Sequence, residues 1–310
     1  MAEKKIMICE SLPRDGLQEI AKFIPTQQKI EVLKRVIDLG FRKIDALSFA
    51  HPKWVPQFAD AEAIAAGILP YAKEHGVELT ASVLNRKAVE RGKAAGVGTL
   101  YWCASVSEKH SLRNTNKSIA DTIQDSEAIL TEMKDENTVF NFSIMCAFGD
   151  PFGDPLNYDL IKKYADMASR TGVEELSLSD TAGLGDPETV RKVIRCAKEY
   201  YPIEKIALHL HDSQGMGLAG SLAGYEEGVL RHSGSLGGQG GCPFAPGSRG
   251  NVATEDLVNM FCKMGVDCGV DPGAVLSLSA ELGTYLDIPM NSAMLTYSKT
   301  CFASTGKLKL

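Results

Sequence analysis

An α/β fold of the (β/α)8 barrel class, with extra helices at the C-terminus, is the architecture that this sequence predicts. Short β-type runs alternate with longer amphipathic segments along the whole chain, which implies parallel strands joined by crossover helices. Eight such units fit within roughly 260 residues, the usual span of a closed barrel. The glycine fingerprint that follows the first strand of a dinucleotide-binding open sheet is missing, because Ser11-Leu12-Pro13-Arg14-Asp15 stands in its place. A doubly wound open sheet is the structural alternative.

The strand candidates are 6–11, 43–49, 78–84, 99–105, 139–148, 174–180, 205–211 and, more weakly, 231–236. Helical patterns lie between them at 27–39, 60–74, 117–134, 158–170, 187–200 and 217–229. In the first of these, Ile30, Leu33, Val36 and Ile37 fall on one stripe at helical spacing. Gly40, Gly76, Gly96 and Gly172 follow helical patterns, where a C-terminal cap favours positive φ. A further helix is expected at 273–286. No low-complexity linker interrupts the chain. The expectation is one catalytic domain over 1–310, with a TIM barrel at about 5–265 and a helical extension at about 266–310.

Composition excludes several functions. A formal net charge of -6 over 310 residues argues against a general nucleic-acid binder. No run approaches the ~20 apolar residues of a membrane span. The apolar stretch from Ile6 to Cys9 is too short for the core of a signal peptide. Eight cysteines are dispersed without a Cys-x-x-Cys pair, which fits a reducing compartment. A cytoplasmic protein that assembles as a homodimer or larger homo-oligomer is expected.

Polar residues at the C-terminal ends of barrel strands build active sites. The first strand ends in Arg14-Asp15, the sixth in Ser179-Asp180-Thr181 and the seventh in His209-Leu210-His211-Asp212. The loop after the eighth is glycine-rich and carries Cys242 and Asn251. Alternate residues on a strand share a face, so His209 and His211 project together. Two imidazoles with nearby carboxylates and an amide make a mixed nitrogen and oxygen site, suited to Mg2+, Mn2+ or another borderline divalent ion. The bland alternatives are plain. The histidines would be hydrogen-bonded core residues, Asp15 and Asp180 turn or helix caps, Arg14 a surface ion-pair partner and the glycine-rich stretch a flexible loop.

These residues also carry a family resemblance. Ser11-Leu12-Pro13-Arg14-Asp15-Gly16-Leu17-Gln18, Ser48-Phe49 with Pro52 to Gln57, and His209 to Asp212 resemble successive motifs of the hydroxymethylglutaryl-CoA lyases. Gly240-Gly241-Cys242-Pro243-Phe244-Ala245, followed by Gly250 to Leu257, resembles their signature loop. The resemblance implies a metal held by Asp15, His209, His211 and Asn251, and catalytic roles for Arg14, Asp15, Asp45, Asp180, His209 and Cys242. It also implies contact with an acyl-CoA around Asn85 and Arg113. Isopropylmalate-synthase-like Claisen enzymes share the Arg-Asp and His-x-His motifs.

The chain departs from that pattern at several points. Asp45 stands where the family usually has Glu, Ser233 where it has Asp, Gln239 where it has Leu. Asp150 and Gly306 replace cysteines found in some members. The shorter Asp45 carboxylate leads to the expectation of an altered acyl preference, with a water or a larger substrate group filling the space.

The chemistry implied is retro-Claisen cleavage of 3-hydroxy-3-methylglutaryl-CoA, or a close 3-hydroxy thioester, to acetyl-CoA and a keto acid such as acetoacetate. A divalent ion would acidify the tertiary hydroxyl, and a carboxylate or histidine would take its proton. Arg14 would face the developing enolate oxygen. Cys242 would protonate the enolate carbon. A Claisen-type synthase using a 2-oxo acid, an aldolase on the same barrel, and a catalytically inactive binding paralogue are the competing readings.

Overall fold

The order of the parallel strands settles the architecture. In a computed structural model that describes residues 5–242, 245 and 247–305, eight strands close into one barrel in sequence order. Pro243, Phe244 and Gly306 lie outside the described residues. The strands are β1 Met7–Glu10, β2 Lys43–Ser48, β3 Glu78–Val83, β4 Thr99–Ser105, β5 Val139–Met145, β6 Leu176–Asp180, β7 Ile206–Leu210 and β8 Arg231–Gly234. The open-sheet alternative is excluded, since β1 pairs with both β2 and β8.

The helices are α1 Thr26–Asp38, α2 Ala61–Glu74, α3 Arg86–Ala94, α4 Glu108–Thr115, α5 Ile119–Glu132, α6 Tyr158–Arg170, α7 Pro187–Lys198, α8 Gly217–Glu226, α9 Thr254–Lys263, α10 Pro272–Leu286 and α11 Ala293–Thr305. The pattern expected at 117–134 is α5 alone. The separate helix α4 precedes it, started by the Ser107 side chain accepting from the His110 N–H and ended at Asn116 in the left-handed region. β5 stops short of the expected 148 because Cys146 takes a φ of 59°, which no strand continues through. None of the described helices is long and apolar enough to cross a membrane.

Strand alternation sends one set of side chains to the helices and the other into the barrel. Leu176, Leu178, Ile206 and Leu208 belong to the apolar layer between strands and helices. The inward set is polar and small, including Cys9, Ser82, Cys103, Ser143, Ser177, Ser179 and Ser233. These leave a cavity of about 60 Å³ under Arg14, where a barrel usually holds branched aliphatic residues. β2 sends both Asp45 and Ser48 inward, although their spacing is odd. A register shift between Asp45 and Leu47 makes this possible.

Toward the N-terminal end, the interior is held by charge. Glu175 accepts Lys43 Nζ at 2.9 Å and Arg231 Nη1 at 2.7 Å, and Tyr101 Oη also donates to it. Glu175 and Lys43 are almost fully buried. Burial works to raise the Glu175 pKa, but the neighbouring Lys43 and the donors outweigh it, and the carboxyl stays below its usual range. Glu175→Ala would strand Lys43 without its closest partner. A loss of about 3–5 kcal/mol is expected in equilibrium urea unfolding, as for other broken buried pairs. A loss under about 1 kcal/mol would mean that Glu78, 3.6 Å from Lys43, takes over the pairing.

Candidate active site

All four polar clusters meet at the C-terminal mouth of the barrel. Arg14, Asp15, His209, His211 and Cys242 line one cavity of about 120 Å³. The turn after β1 is a short π-helical stretch, Leu12–Gly16, that presents Arg14 and Asp15 side by side. Glu10 secures this turn from behind. Its buried carboxyl accepts the N–H groups of Leu12 and Leu236 and the Thr254 hydroxyl. Burial pushes the Glu10 pKa up to about 7 despite those donors.

The Arg14 guanidinium bridges two buried carboxylates. Its Nη1 lies 2.5 Å from Asp15 Oδ1, and its Nε donates to Asp45 Oδ2 at 2.7 Å. Burial would raise the Asp15 pKa, but Arg14 and the two histidines overcome that and hold it far below the usual carboxylate range. For Asp45 burial wins over Arg14, and its pKa is raised. Asp45 Oδ1 is buried without a hydrogen-bond partner. The Asp45 side chain thus reaches Arg14 next to the register shift in β2, with one oxygen left unpartnered.

Asp15 Oδ2 lies 3.5 Å from His211 Nε2 and 3.9 Å from His209 Nε2. The three side chains offer ligand atoms within 4.8 Å of one another. Burial lowers the His209 pKa to about 3, so its imidazole is neutral, as a metal ligand must be. The far nitrogens are fixed by hydroxyls. His209 Nδ1 is 3.1 Å from Ser233 Oγ, and His211 Nδ1 is 3.1 Å from Ser248 Oγ. Both partners orient the Nε2 atoms toward Asp15, the outer-shell arrangement of metal sites. Sequence reasoning marked Ser233 only as a departure and missed Ser248; the alternation of β8 was the available signal for the first.

Asn251 completes the cluster. Its Nδ2 donates to Asp15 Oδ2 at 2.7 Å and to the Gln239 carbonyl at 2.8 Å, while its Oδ1 is buried and unpartnered. An orphaned amide oxygen beside a carboxylate and two imidazoles fits a divalent cation. The glycine-rich loop is wedged against this cluster. A Cβ on Gly240, at φ 122°, would come within 2.3 Å of Asn251 Nδ2 and 2.8 Å of Asp15 Oδ2. Glycine at this position is thus a condition of closing the site.

Asp180 ends β6 near enough to His211 for their charges to interact, and backbone donors hold its carboxylate. Ser177 and Ser179 take the inward positions of β6, so Asp180 falls on the opposite parity. Its Oδ1 accepts the Leu184 N–H at 3.0 Å and its Oδ2 the Gly185 N–H at 2.9 Å. Burial raises its pKa. These bonds shape the turn after β6, as the turn-forming alternative expects.

Asn85 and Arg113 line a neighbouring cleft of about 260 Å³, with Trp54 and Lys117. The Asn85 side chain caps α3 by accepting the Ala88 N–H. Arg113 stacks over Phe152 at 4.4 Å. Ala50, Val55, Leu84 and Asn114 border both this cleft and the cavity at the mouth. Cys242 faces His110, a residue not singled out by its sequence, with Sγ 3.8 Å from Nε2.

The arrangement resembles proteins of known activity. The sequence profile of the HMGL-like family matches residues 5–281. A hydroxymethylglutaryl-CoA lyase of Bacillus subtilis is 33% identical over 297 residues, covering 96% of this chain and 98% of its own. One from Pseudomonas mevalonii is 32% identical, covering 90% and 93%. The solved structure of an HMG-CoA lyase from Acinetobacter baumannii, in complex with coenzyme A and 3-methylmalate, superposes with a TM-score of 0.89 at 31% identity. That match covers 98% of this chain and 95% of the other.

Proposed function

The chain belongs to the HMGL-like family, and on that premise we propose that it cleaves a 3-hydroxy-3-methylglutaryl-CoA-type thioester to acetyl-CoA and a keto acid. The observation that carries this reading is the convergence of Asp15, His209 and His211 with Arg14 at the barrel mouth. Asp15, His209, His211 and Asn251 would hold a divalent ion, for which Mg2+ and Mn2+ suit the nitrogen and oxygen donors. When bound, such an ion acidifies the substrate's tertiary hydroxyl and polarises the carbonyl that forms from it.

The rest falls to the chain's own residues. Arg14, held by two carboxylates, presents a fixed positive charge where the thioester enolate oxygen develops. Asp15 and Asp45 fix the guanidinium's direction, so little reorganisation is needed as charge moves. Cys242 stands at the same cavity and would give its proton to the enolate carbon. The adjoining cleft, with Trp54, Asn85, Arg113 and Lys117, offers aromatic, amide and cationic groups to a nucleotide-bearing thiol.

The acyl group is where Asp45 matters. The unpartnered Asp45 Oδ1 and the serine-lined cavity below Arg14 support a preference for a substrate bulkier or more polar than hydroxymethylglutaryl-CoA. A cleavage screen over 3-hydroxy-3-carboxymethyl acyl-CoA thioesters with Mg2+ or Mn2+ tests both levels. Asp45→Glu is expected to raise kcat/KM for hydroxymethylglutaryl-CoA by about 10-fold or more, since a displacement near 1 Å can cost about 10^2 in rate. Wild-type turnover of that substrate near 10 s^-1, with no gain from Asp45→Glu, would return the reading to the plain lyase. The synthase alternative predicts CoA release from acetyl-CoA plus a 2-oxo acid, which the same assay reads.

A further inference from the structure

Cys242 meets a side chain from the opposite side of the mouth, and the hydrogen bonds around that side chain have a direction. His110, on α4, is fully buried. Its Nδ1 lies 3.1 Å from Ser105 Oγ and its Nε2 lies 3.8 Å from Cys242 Sγ. Ser105 Oγ accepts the Ser107 N–H at 3.1 Å and has one proton to donate, for which His110 Nδ1 and the Cys146 sulfur compete. Of its neighbours, the imidazole nitrogen is a far better acceptor than the Cys146 sulfur. Donation from Ser105 to Nδ1 leaves the single ring proton of a neutral histidine on Nε2, facing the Cys242 sulfur. We propose that His110 is a positioning residue for the Cys242 thiol, its Nε2–H donating to Sγ and thereby fixing the sulfur's place and stabilising the thiolate left after proton transfer.

This rests on the cleavage reading above. In that step the S–H bond breaks, a C–H bond forms at the enolate carbon, and the negative charge passes from enolate to sulfur. The proton taken from the substrate hydroxyl balances the one delivered, and solvent at the mouth returns it to the thiolate. A ring N–H already aimed at sulfur lowers the cost of the thiolate without needing to move. Burial lowers the His110 pKa to about 4 although Asp150 pulls the other way, so the ring is neutral at rest. A neutral ring does not make the imidazolium–thiolate pair of a nucleophilic cysteine. This suits a thiol that acts as an acid rather than a nucleophile. Among the described residues, Ser105 is the hydrogen-bond partner at Nδ1 and Asp150 the acidic group that acts on the ring.

The test is the pH dependence of iodoacetamide alkylation at Cys242, followed by peptide mass spectrometry on the full, substrate-free protein. His110→Phe fills similar space without a donor. It is expected to raise the apparent pKa of the Cys242 thiol by about one unit and to lower kcat by about 10-fold, with KM little changed. His110→Gln keeps an N–H donor and should recover most of both effects. Ser105→Ala removes the group that fixes the ring proton and should shift alkylation in the same direction, which keeps the test open if His110→Phe does not fold. An alkylation profile that stays at the wild-type position in the folded variants overturns the proposal. A wild-type protein that cleaves no thioester would refute the cleavage reading, while the alkylation shift would still report the His110–Cys242 contact.

Discussion

Chelation of divalent ions is expected to abolish thioester cleavage, and added Mg2+ or Mn2+ to restore it. Asp15, His209 and His211 bring ligand atoms within 4.8 Å of one another, and burial in the barrel mouth leaves those atoms few other partners. Bringing a carboxylate and two imidazoles together out of water is costly unless something positive joins them. Arg14 supplies part of that charge through Asp15, but it touches neither imidazole in the hydrogen-bonding pattern. His211→Ala should therefore lower bound metal measured by elemental analysis and reduce cleavage by about 10^2 or more. Ser233→Ala, which removes only the partner of His209 Nδ1, should weaken metal affinity by about 10-fold, at the low end of outer-shell effects. Full activity in a metal-free preparation would refute the assignment.

Arg14→Met should lower kcat by roughly 10^2 or more, because the lost charge acts on the enolate-like state rather than on bound substrate. An effect on KM alone would reduce Arg14 to a binding residue. The structure adds a complication that the sequence did not show. Arg14 also pairs with Asp15 and Asp45, so the single substitution leaves two buried carboxylates without their cation and should cost about 3–5 kcal/mol of stability. Arg14→Met with Asp45→Asn removes both halves of the Arg14–Asp45 pair. That double variant should regain part of the stability, since Asp15 still lacks its cation, and none of the rate. Recovery of kcat in the double variant would show that the loss in Arg14→Met came from damage to the fold.

The two halves of the site were unequally legible. The His-x-His spacing and the Arg-Asp pair could be read directly, because residues two apart on a strand share a face and residues in one turn stay together. Asp180 was less directly legible. Parity sets it apart from the inward Ser177 and Ser179, and only the fold shows its backbone donors and its nearness to His211. Cys146 ended β5 early through a positive φ that nothing in its neighbours announces. α4 has no apolar stripe to reveal it, since only a few of its residues face the core.

By itself the sequence determined the barrel, the face on which the site lies, and the residues that gather there as a possible metal centre. Periodicity, turn chemistry and strand alternation are local properties, and they are enough to assign these. The tertiary structure decided which distant side chains meet. Ser233 became the partner of His209 across the β7–β8 register, the shift in β2 turned both Asp45 and Ser48 inward, and His110 came to face Cys242 from 132 positions away. Such contacts depend on strand register, barrel closure and the path of loops over the mouth. They are set by the whole packed chain, so no local pattern encodes them.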